Sequence, residues 1–231
     1  EKDYRGAVES YAAILELGEE GPEVWSRLVR LHLRLKSPAK AMALMDKAPK
    51  DSGFVLETLS AFIAEGYAAE AGKLLDRREK GASPSPDILF YRAVVAYEGE
   101  KKPAKAIGYL KRVPESHPHY DKSLGFRIQL LLEMDRPAEA LELARESAGR
   151  FPDKKEFRLL HAVALERTGD PDGAAAVLTE AGEKWADDTE ILYRLGVVLE
   201  RQKRTAVSVQ VMEQIITLDG EHADALNFVG Y

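Results

Sequence analysis

A small residue recurs along the chain at an almost constant interval. Seven such residues are separated by gaps of 34, 30, 35, 34, 34 and 34 residues. A fixed period of this length is typical of a helical repeat array, in which each unit packs on its neighbours and no single central core forms. The positions are Ala7, Ala41, Ala71, Ala106, Ala140, Ala174 and Ser208.

Prolines mark the same period, three residues before four of the small residues, at Pro38, Pro103, Pro137 and Pro171. Proline is tolerated at the first position of a helix, so each predicts a helix start; we term these helices B. An amphipathic segment, helix A, precedes each, as in residues 87–99 and 189–201. The unit is therefore helix A, turn, helix B, and the small residue lets helix B approach helix A closely.

Two spaced motifs carry a family resemblance. Helix A shows W-x2-L-V-x2-H from Trp25, with degenerate copies from Phe90 and Leu192. Helix B shows A-x3 followed by an apolar residue, and Pro118 and Pro152 close two units. These motifs resemble the tetratricopeptide repeat family, whose patterns are W-x2-L-G-x2-Y and A-x3-F. The resemblance spans nearly the whole chain, although residues 53–86 match poorly at helix A.

The resemblance implies an all-α fold, a right-handed superhelical solenoid of antiparallel helix pairs with about 13–14 helices. We predict a single array over residues 1–231. It begins with a lone helix B in residues 1–21 and ends with the start of a further truncated repeat in residues 223–231. Residues 79–87 are predicted to be a local irregularity and not a domain boundary. Six repeats lie between the ends, at 22–52, 53–86, 87–120, 121–154, 155–188 and 189–222.

Catalytic and metal-binding patterns are not found in the sequence. The chain has no cysteine, which excludes disulfides and thiolate sites. His32 and His161 fall on helix A motif positions and are predicted to pack between helices. His117 and His119 flank Pro118 without a third candidate ligand nearby. We therefore predict a non-enzymatic protein with no catalytic residues, no metal and no cofactor.

Charge and hydropathy narrow the class of partner. The formal net charge is −6 with both signs interspersed, which disfavours nucleic acid as a partner. No apolar run approaches a membrane span, so no direct membrane insertion is expected. The style of the repeats resembles bacterial tetratricopeptide proteins of the cell envelope. This resemblance favours the periplasm or cell envelope slightly over the cytoplasm as the location of the protein.

The family resemblance also implies a binding groove along the A helices, contacted from repeat positions 2, 5, 9, 12 and 13. At these positions the chain shows an apolar strip with charged margins, and exposed apolar strips often mark binding surfaces. The alternative is that some of these side chains pack against the adjacent helix. The predicted partner-binding residues are Arg30, Arg34, Ile63, Tyr91, Val95, Gln129, Leu132, Val163, Glu166, Tyr193 and Val197.

The leading functional prediction is a protein–protein interaction scaffold that binds a peptide or helix of a partner in this groove. A chaperone-tail adaptor is disfavoured, because its carboxylate clamp needs asparagine and the only one is Asn227. One alternative is a regulatory or substrate-recruiting array of a longer enzyme. Another is a self-association module, with a homodimer formed through the truncated ends. Its apolar face would consist of Tyr4, Val8, Tyr11 and Leu15.

Overall fold

The computed structural model describes residues 3–78 and 84–230, and these residues are all-α, as predicted. The chain divides into two compact units, Glu1–His117 and Pro118–Tyr231. Unit 1 contains α1 (Tyr4–Glu16), α2 (Pro22–Arg34), α3 (Pro38–Met45), α4 (Ser52–Ala64), α5 (Ala68–Arg78), α6 (Pro86–Val94) and α7 (Pro103–Leu110). Unit 2 contains α8 (Tyr120–Glu133), α9 (Pro137–Arg150), α10 (Lys155–Arg167), α11 (Pro171–Lys184), α12 (Thr189–Arg201), α13 (Thr205–Leu218) and α14 (Ala223–Val229).

Helices alternate between types A and B along the chain. The four predicted prolines each open a helix B, namely α3, α7, α9 and α11. In each of the six predicted repeat ranges the described residues include a helix A and a helix B. Of the predicted irregular stretch 79–87, residues 79–83 lie outside the described part of the chain, and α6 begins at Pro86.

The turn between helix A and helix B uses one left-handed residue in every repeat. Gly66 and Gly169 have φ of 86° and 83°, a conformation that glycine adopts without a steric penalty. In the last turn of α10, the Gly169 N–H donates to the Glu166 carbonyl and the next N–H donates to the Leu165 carbonyl. These bonds satisfy carbonyls that the helix end leaves open. The other four repeats place residues other than glycine in this conformation, namely Lys36, Lys101, Asp135 and Lys203.

The small residues of helix B lie at the contact with helix A. Ala41, Ala71, Ala106, Ala140, Ala174 and Ser208 are completely buried. At the last of these contacts, the Ser208 hydroxyl donates to the Gly196 carbonyl of α12 at 2.7 Å. A Cβ added to Gly196 would overlap Met212 of α13. The Ser208 bond brings the two helices close together at this point, and the end of the Met212 side chain packs against Gly196.

One extra residue in the third repeat is absorbed inside a helix. Residues Val95–Gly99 continue α6 as a π-helical turn, in which the Glu100 N–H donates to the Val95 carbonyl at 3.0 Å. From its first residue to the left-handed turn, this helix A spans Pro86 to Lys101, whereas α2 spans Pro22 to Lys36, one residue fewer. A π turn accommodates such an insertion without changing the helix axis.

The π turn also corrects the predicted motif in this repeat. Leu89 and Ala93 are buried, at 4% and 0% exposure, whereas Phe90 is only partly buried. Leu89 therefore occupies the place that Trp25 has in α2, and the motif placed at Phe90 was wrong by one residue. Beyond the π turn the register returns to that of the other repeats.

Enlarging the small residue should destabilise the protein. Ala140→Leu and Ala174→Leu place a larger side chain in a fully buried contact, at a cost of about 1–3 kcal/mol in the free energy of unfolding. Chemical denaturation measures this change. Ala138→Leu, at an exposed site on the same helix α9, is the control. A cost for Ala138→Leu as large as that for Ala140→Leu would contradict the proposed contact.

Deleting Glu98 should convert the π turn to regular α-helix. Glu98 is exposed, and its removal gives α6 the same span as α2, so the thermal midpoint should stay the same or rise. Deleting Glu166 from α10, which has no extra residue, should lower the midpoint by at least about 5 °C, because the last turn loses its register. Equal losses in both variants would show that the π turn is not an insertion.

Candidate functional site

In unit 1, the predicted groove residues divide between core and surface. Val95 is 3% exposed and packs in the unit's hydrophobic core, with Ile63 and Tyr91 partly buried against the same cluster. Its Cγ1 would lie 2.9 Å from a Cβ added to Gly72 of α5. The expectation that Val95 lies on an open strip is wrong, because the π turn places it against the preceding helix B.

Tyr91 is a predicted groove residue of unit 1, and its hydroxyl is about half-buried. Burial raises the pKa of its hydroxyl, and a hydrogen bond with Ser60 acts in the opposite direction. Its ring meets that of Phe90 edge to face, with centroids 6.2 Å apart. The ring is therefore held in place by its neighbours and presents only part of its surface.

In unit 2, Leu132 is 8% exposed, so the expectation of an open apolar group is wrong here as well. Leu33, at the same repeat position in α2, is 1% exposed. This position is buried in both because successive A helices pack on each other, α2 on α4 and α8 on α10.

The other predicted residues of unit 2 remain at least partly exposed. Gln129 is exposed, and Val163 is partly buried. Tyr193 and Val197 pack in a cluster that includes Phe228 of α14. The Tyr193 ring lies 5.8 Å from the His222 ring, measured between centroids. The final helix therefore covers part of this end of the predicted strip.

Three of the predicted charged residues are already joined to neighbouring repeats. The closest contacts are Arg34 to Glu65 at 2.9 Å and Arg201 to Glu166 at 2.7 Å. Arg30 lies farther from Glu57, at 3.9 Å. The hydrogen bond with Glu65 raises the pKa of the Arg34 guanidinium. Solvent screens exposed pairs of this kind, so they order the charged margin more than they stabilise the fold.

A polar pocket of about 330 Å³ opens on the helix A side of unit 1. Its floor includes Ser26, which is 7% exposed and whose buried hydroxyl has no hydrogen-bond partner among the described residues. Arg27 forms no ion pair within the part of the chain that the structure describes, unlike Arg34. The lining residues are Glu23, Ser26, Arg27, Arg30 and Glu57.

Of the five lining residues, only Arg30 is among the predicted partner-binding residues. Glu23 and Ser26 lie at repeat positions 2 and 5, which the family resemblance also assigns to the groove. Arg27 and Glu57 lie two residues after the buried Trp25 and Val55 of adjacent repeats, at a position that was not considered. The signal was present in the sequence, because both are charged residues one position from a predicted contact on an A helix.

Helix α1, the predicted lone helix B, packs against the rest of unit 1. Leu15 packs against the core cluster, and the Arg34 guanidinium lies over the Tyr4 ring at 5.8 Å. Tyr4, Val8, Tyr11 and Leu15 are all partly buried. A homodimer through this face stays a prediction.

The histidines are placed as structural groups. His32 and His161 are partly buried on their A helices, and burial lowers the pKa of both. His117 Nε2 lies 3.1 Å from Asp87 Oδ1.

Over residues 3–78 and 84–230, no three His, Asp or Glu side chains are grouped so that they could hold a metal ion. Within the same ranges, no helix has the length and apolar character needed to cross a membrane.

Comparison with known proteins decides the family. Three tetratricopeptide repeat models match the chain, one at residues 1–53, one at 87–120 and one at 127–189 and 159–224. The chain belongs to the tetratricopeptide repeat family. The matches leave out residues 54–86, the repeat whose helix A motif is weakest. No curated protein sequence matches the chain.

Solved tetratricopeptide repeat structures share the fold at low sequence identity. MamA from Desulfovibrio magneticus RS-1 has a TM-score of 0.62 at 12% identity, covering 75% of this chain and 98% of its own. TTC0263 from Thermus thermophilus has 0.56 at 16%, covering 76% and 96%. YrrB, described as a tetratricopeptide repeat protein with an unusual peptide-binding site, has 0.53 at 13%, covering 97% and 100%.

The stability of this tetratricopeptide repeat protein should fall in mild acid through His161. Because its pKa is lower in the folded state, unfolding takes up a proton below the ordinary histidine value of about 6.5. The free energy of unfolding is therefore flat above that pH and decreases as pH falls toward the folded-state pKa. His161→Leu, which places the residue found at Leu28 and Leu195, should flatten the slope between pH 7 and 5 in denaturant titrations. An unchanged slope would contradict the assignment.

Proposed function

We propose that this tetratricopeptide repeat protein is an interaction scaffold that binds a polypeptide partner on the helix A side of unit 1. The polar pocket at Ser26 anchors the partner. Proteins of this family generally serve as protein–protein interaction scaffolds and are typically non-enzymatic. YrrB, which shares the fold, is described as having a peptide-binding site.

The observation that carries the proposal is the unsatisfied polar chemistry of the pocket. A buried hydroxyl without a hydrogen-bond partner costs about 1–3 kcal/mol, and a ligand that supplies the partner recovers it. Ser26 lies at the floor, Arg27 is not ion-paired within the described residues, and Arg30 is only loosely paired at 3.9 Å. The three together suit a hydrogen-bond acceptor, such as a carboxylate or a peptide carbonyl.

Partly exposed apolar side chains on other A helices of unit 1 extend the proposed contact. Tyr91 and Ile63 keep part of their surface open on unit 1. They supply apolar area, while the pocket fixes the position of the bound segment. On unit 2, the exposed Gln129 and the partly buried Val163 are candidates for a separate contact. The envelope location suggested by the sequence stays a proposal.

Reversing one charge in the pocket should abolish binding. Peptides selected from a random twelve-residue phage library on the wild-type protein should lose at least tenfold in affinity for Arg27→Glu, because a carboxylate then faces the bound acceptor. Arg194→Glu, an exposed arginine at the same repeat position in α12, is the matched control and should bind as wild type does.

Binding is measured by titration calorimetry, with circular dichroism to confirm folding. Equal affinity of wild type and Arg27→Glu for every selected peptide would overturn the pocket as anchor. Val95→Asp is unsuitable as a test variant, because it would place an unpaired carboxylate in the core and destabilise the protein.

A further inference from the structure

A second pocket lies in unit 1 on residues that the predicted groove does not use. It has a volume of about 370 Å³, within the range of about 300–1,000 Å³ typical of ligand pockets. Its apolar side chains come from α3, α4 and α5, and charged groups lie among them. The lining residues are Met45, Asp46, Pro49, Lys50, Val55, Leu59, Leu74, Leu75 and Arg77.

The pocket lies where the first repeat is short. The period from Ala41 to Ala71 is 30 residues in place of 34. Its helix B, α3, has 8 residues, as α7 does, whereas α9, α11 and α13 have 14. Helix α3 is therefore shorter than the helices B of unit 2 by six residues, or about 9 Å. The chain then reaches α4 through residues 46–51.

Two of the three longer helices B of unit 2, α9 and α11, end in an aromatic residue, whereas α13 ends at Asp219. The residue that caps α9 is Phe151, and its ring stacks on Phe157 of the following helix A with centroids 5.4 Å apart. The cap of α11 is Trp185, which packs against the cluster containing Ile191 of the following helix A. Each ring joins the end of a helix B to the next repeat.

The end of α3 has no such ring. Its cap is Asp46, which pairs with Arg77 at 3.0 Å at the pocket, and the following residues are polar, small or proline. Leu59, Leu74 and Leu75 form apolar walls in the pocket. An apolar pocket therefore lies at the end of α3, whereas the ends of α9 and α11 have an aromatic side chain that contacts the next repeat.

We propose that this pocket receives an aromatic side chain from a partner polypeptide. The incoming ring takes the role that Phe151 and Trp185 have in unit 2, and joins the shortened α3 to α4 and α5. Aromatic side chains bury a large area with few rotatable bonds, which makes them effective anchors in pockets of this size. The site is independent of the groove, because none of its lining residues is a predicted groove residue.

Filling the pocket from within the chain tests this proposal. Lys50→Phe places a ring on the segment that lines the pocket, and Lys47→Phe places one on a nearby exposed residue outside it. The probes are two nine-residue peptides that differ only in a central Phe or Ala. Binding is followed by NMR of protein with labelled Leu and Val methyl groups.

The wild type and Lys47→Phe should show saturable shifts at Val55, Leu59, Leu74 and Leu75 with the Phe peptide and none with the Ala peptide. Lys50→Phe should weaken this binding at least tenfold. Pro49→Phe fills the pocket from the same segment if Lys50→Phe does not fold. Arg27→Glu should bind the Phe peptide normally, which separates this site from the proposed groove.

Several results would overturn the proposal. One is the absence of saturable shifts, and another is equal binding of the Phe and Ala peptides. Undiminished binding by a folded Lys50→Phe would also contradict it. Pocket methyl shifts that follow protein concentration without peptide would show that a second copy of the chain fills the pocket instead.

Discussion

The close approach of helix B to helix A within each repeat is the contact on which the rest of the structure depends. At six successive repeats a completely buried alanine or serine lies at this contact. Because the side chain is so small, the two backbones come near enough for the Ser208 hydroxyl to bond the Gly196 carbonyl directly. The contact fixes which face of helix A remains for the neighbouring repeat and which is left for a partner.

Departures from the period have visible structural consequences because this contact is kept. The extra residue of the third repeat cannot move Ala106 away from helix A, so it is absorbed upstream as the π turn Val95–Gly99. The four missing residues between Ala41 and Ala71 leave α3 short while both alanines stay buried. The pocket between α3, α4 and α5 lies at the end of this shortened helix.

The fold could be predicted from the sequence because period, proline position and small residues all depend on local geometry. The helix B starts and the left-handed Gly66 and Gly169 follow from backbone chemistry that is readable residue by residue. Lys36 and Asp135 have the same left-handed conformation. They could not be predicted from residue type, because lysine and aspartate do not require that conformation.

The candidate site was predicted less completely, since exposure depends on packing between repeats. Val95 was misplaced because hydrophobic periodicity assumes regular α-helix and does not reveal a bond to the fifth residue back. Leu132 was misplaced because the packing of one A helix on the next buries its position. Arg27 was missed because it lies one position outside the family's contact pattern, although its charge at the pocket follows from its place on α2.

The two proposed binding features lie at separate places in unit 1. The Ser26 pocket presents hydrogen-bond donors on the helix A side, and the pocket beside α3 presents apolar walls. Both pockets lie between neighbouring repeats, whose register is fixed by the contacts of helix A with helix B. The family generally acts by binding other proteins, and we propose that these two pockets supply the chemistry for binding in this chain.

The most direct test of the central contact is a nuclear Overhauser measurement at Met212 in protein with labelled methionine methyl groups. The chain has only four methionines, so the spectrum is simple to assign. The account predicts a strong effect between the Met212 methyl group and the Gly196 α protons, because this methyl group packs directly on Gly196, which has no side chain. A Met212 methyl group that contacts a different turn of α12, with no effect to Gly196, would contradict the account.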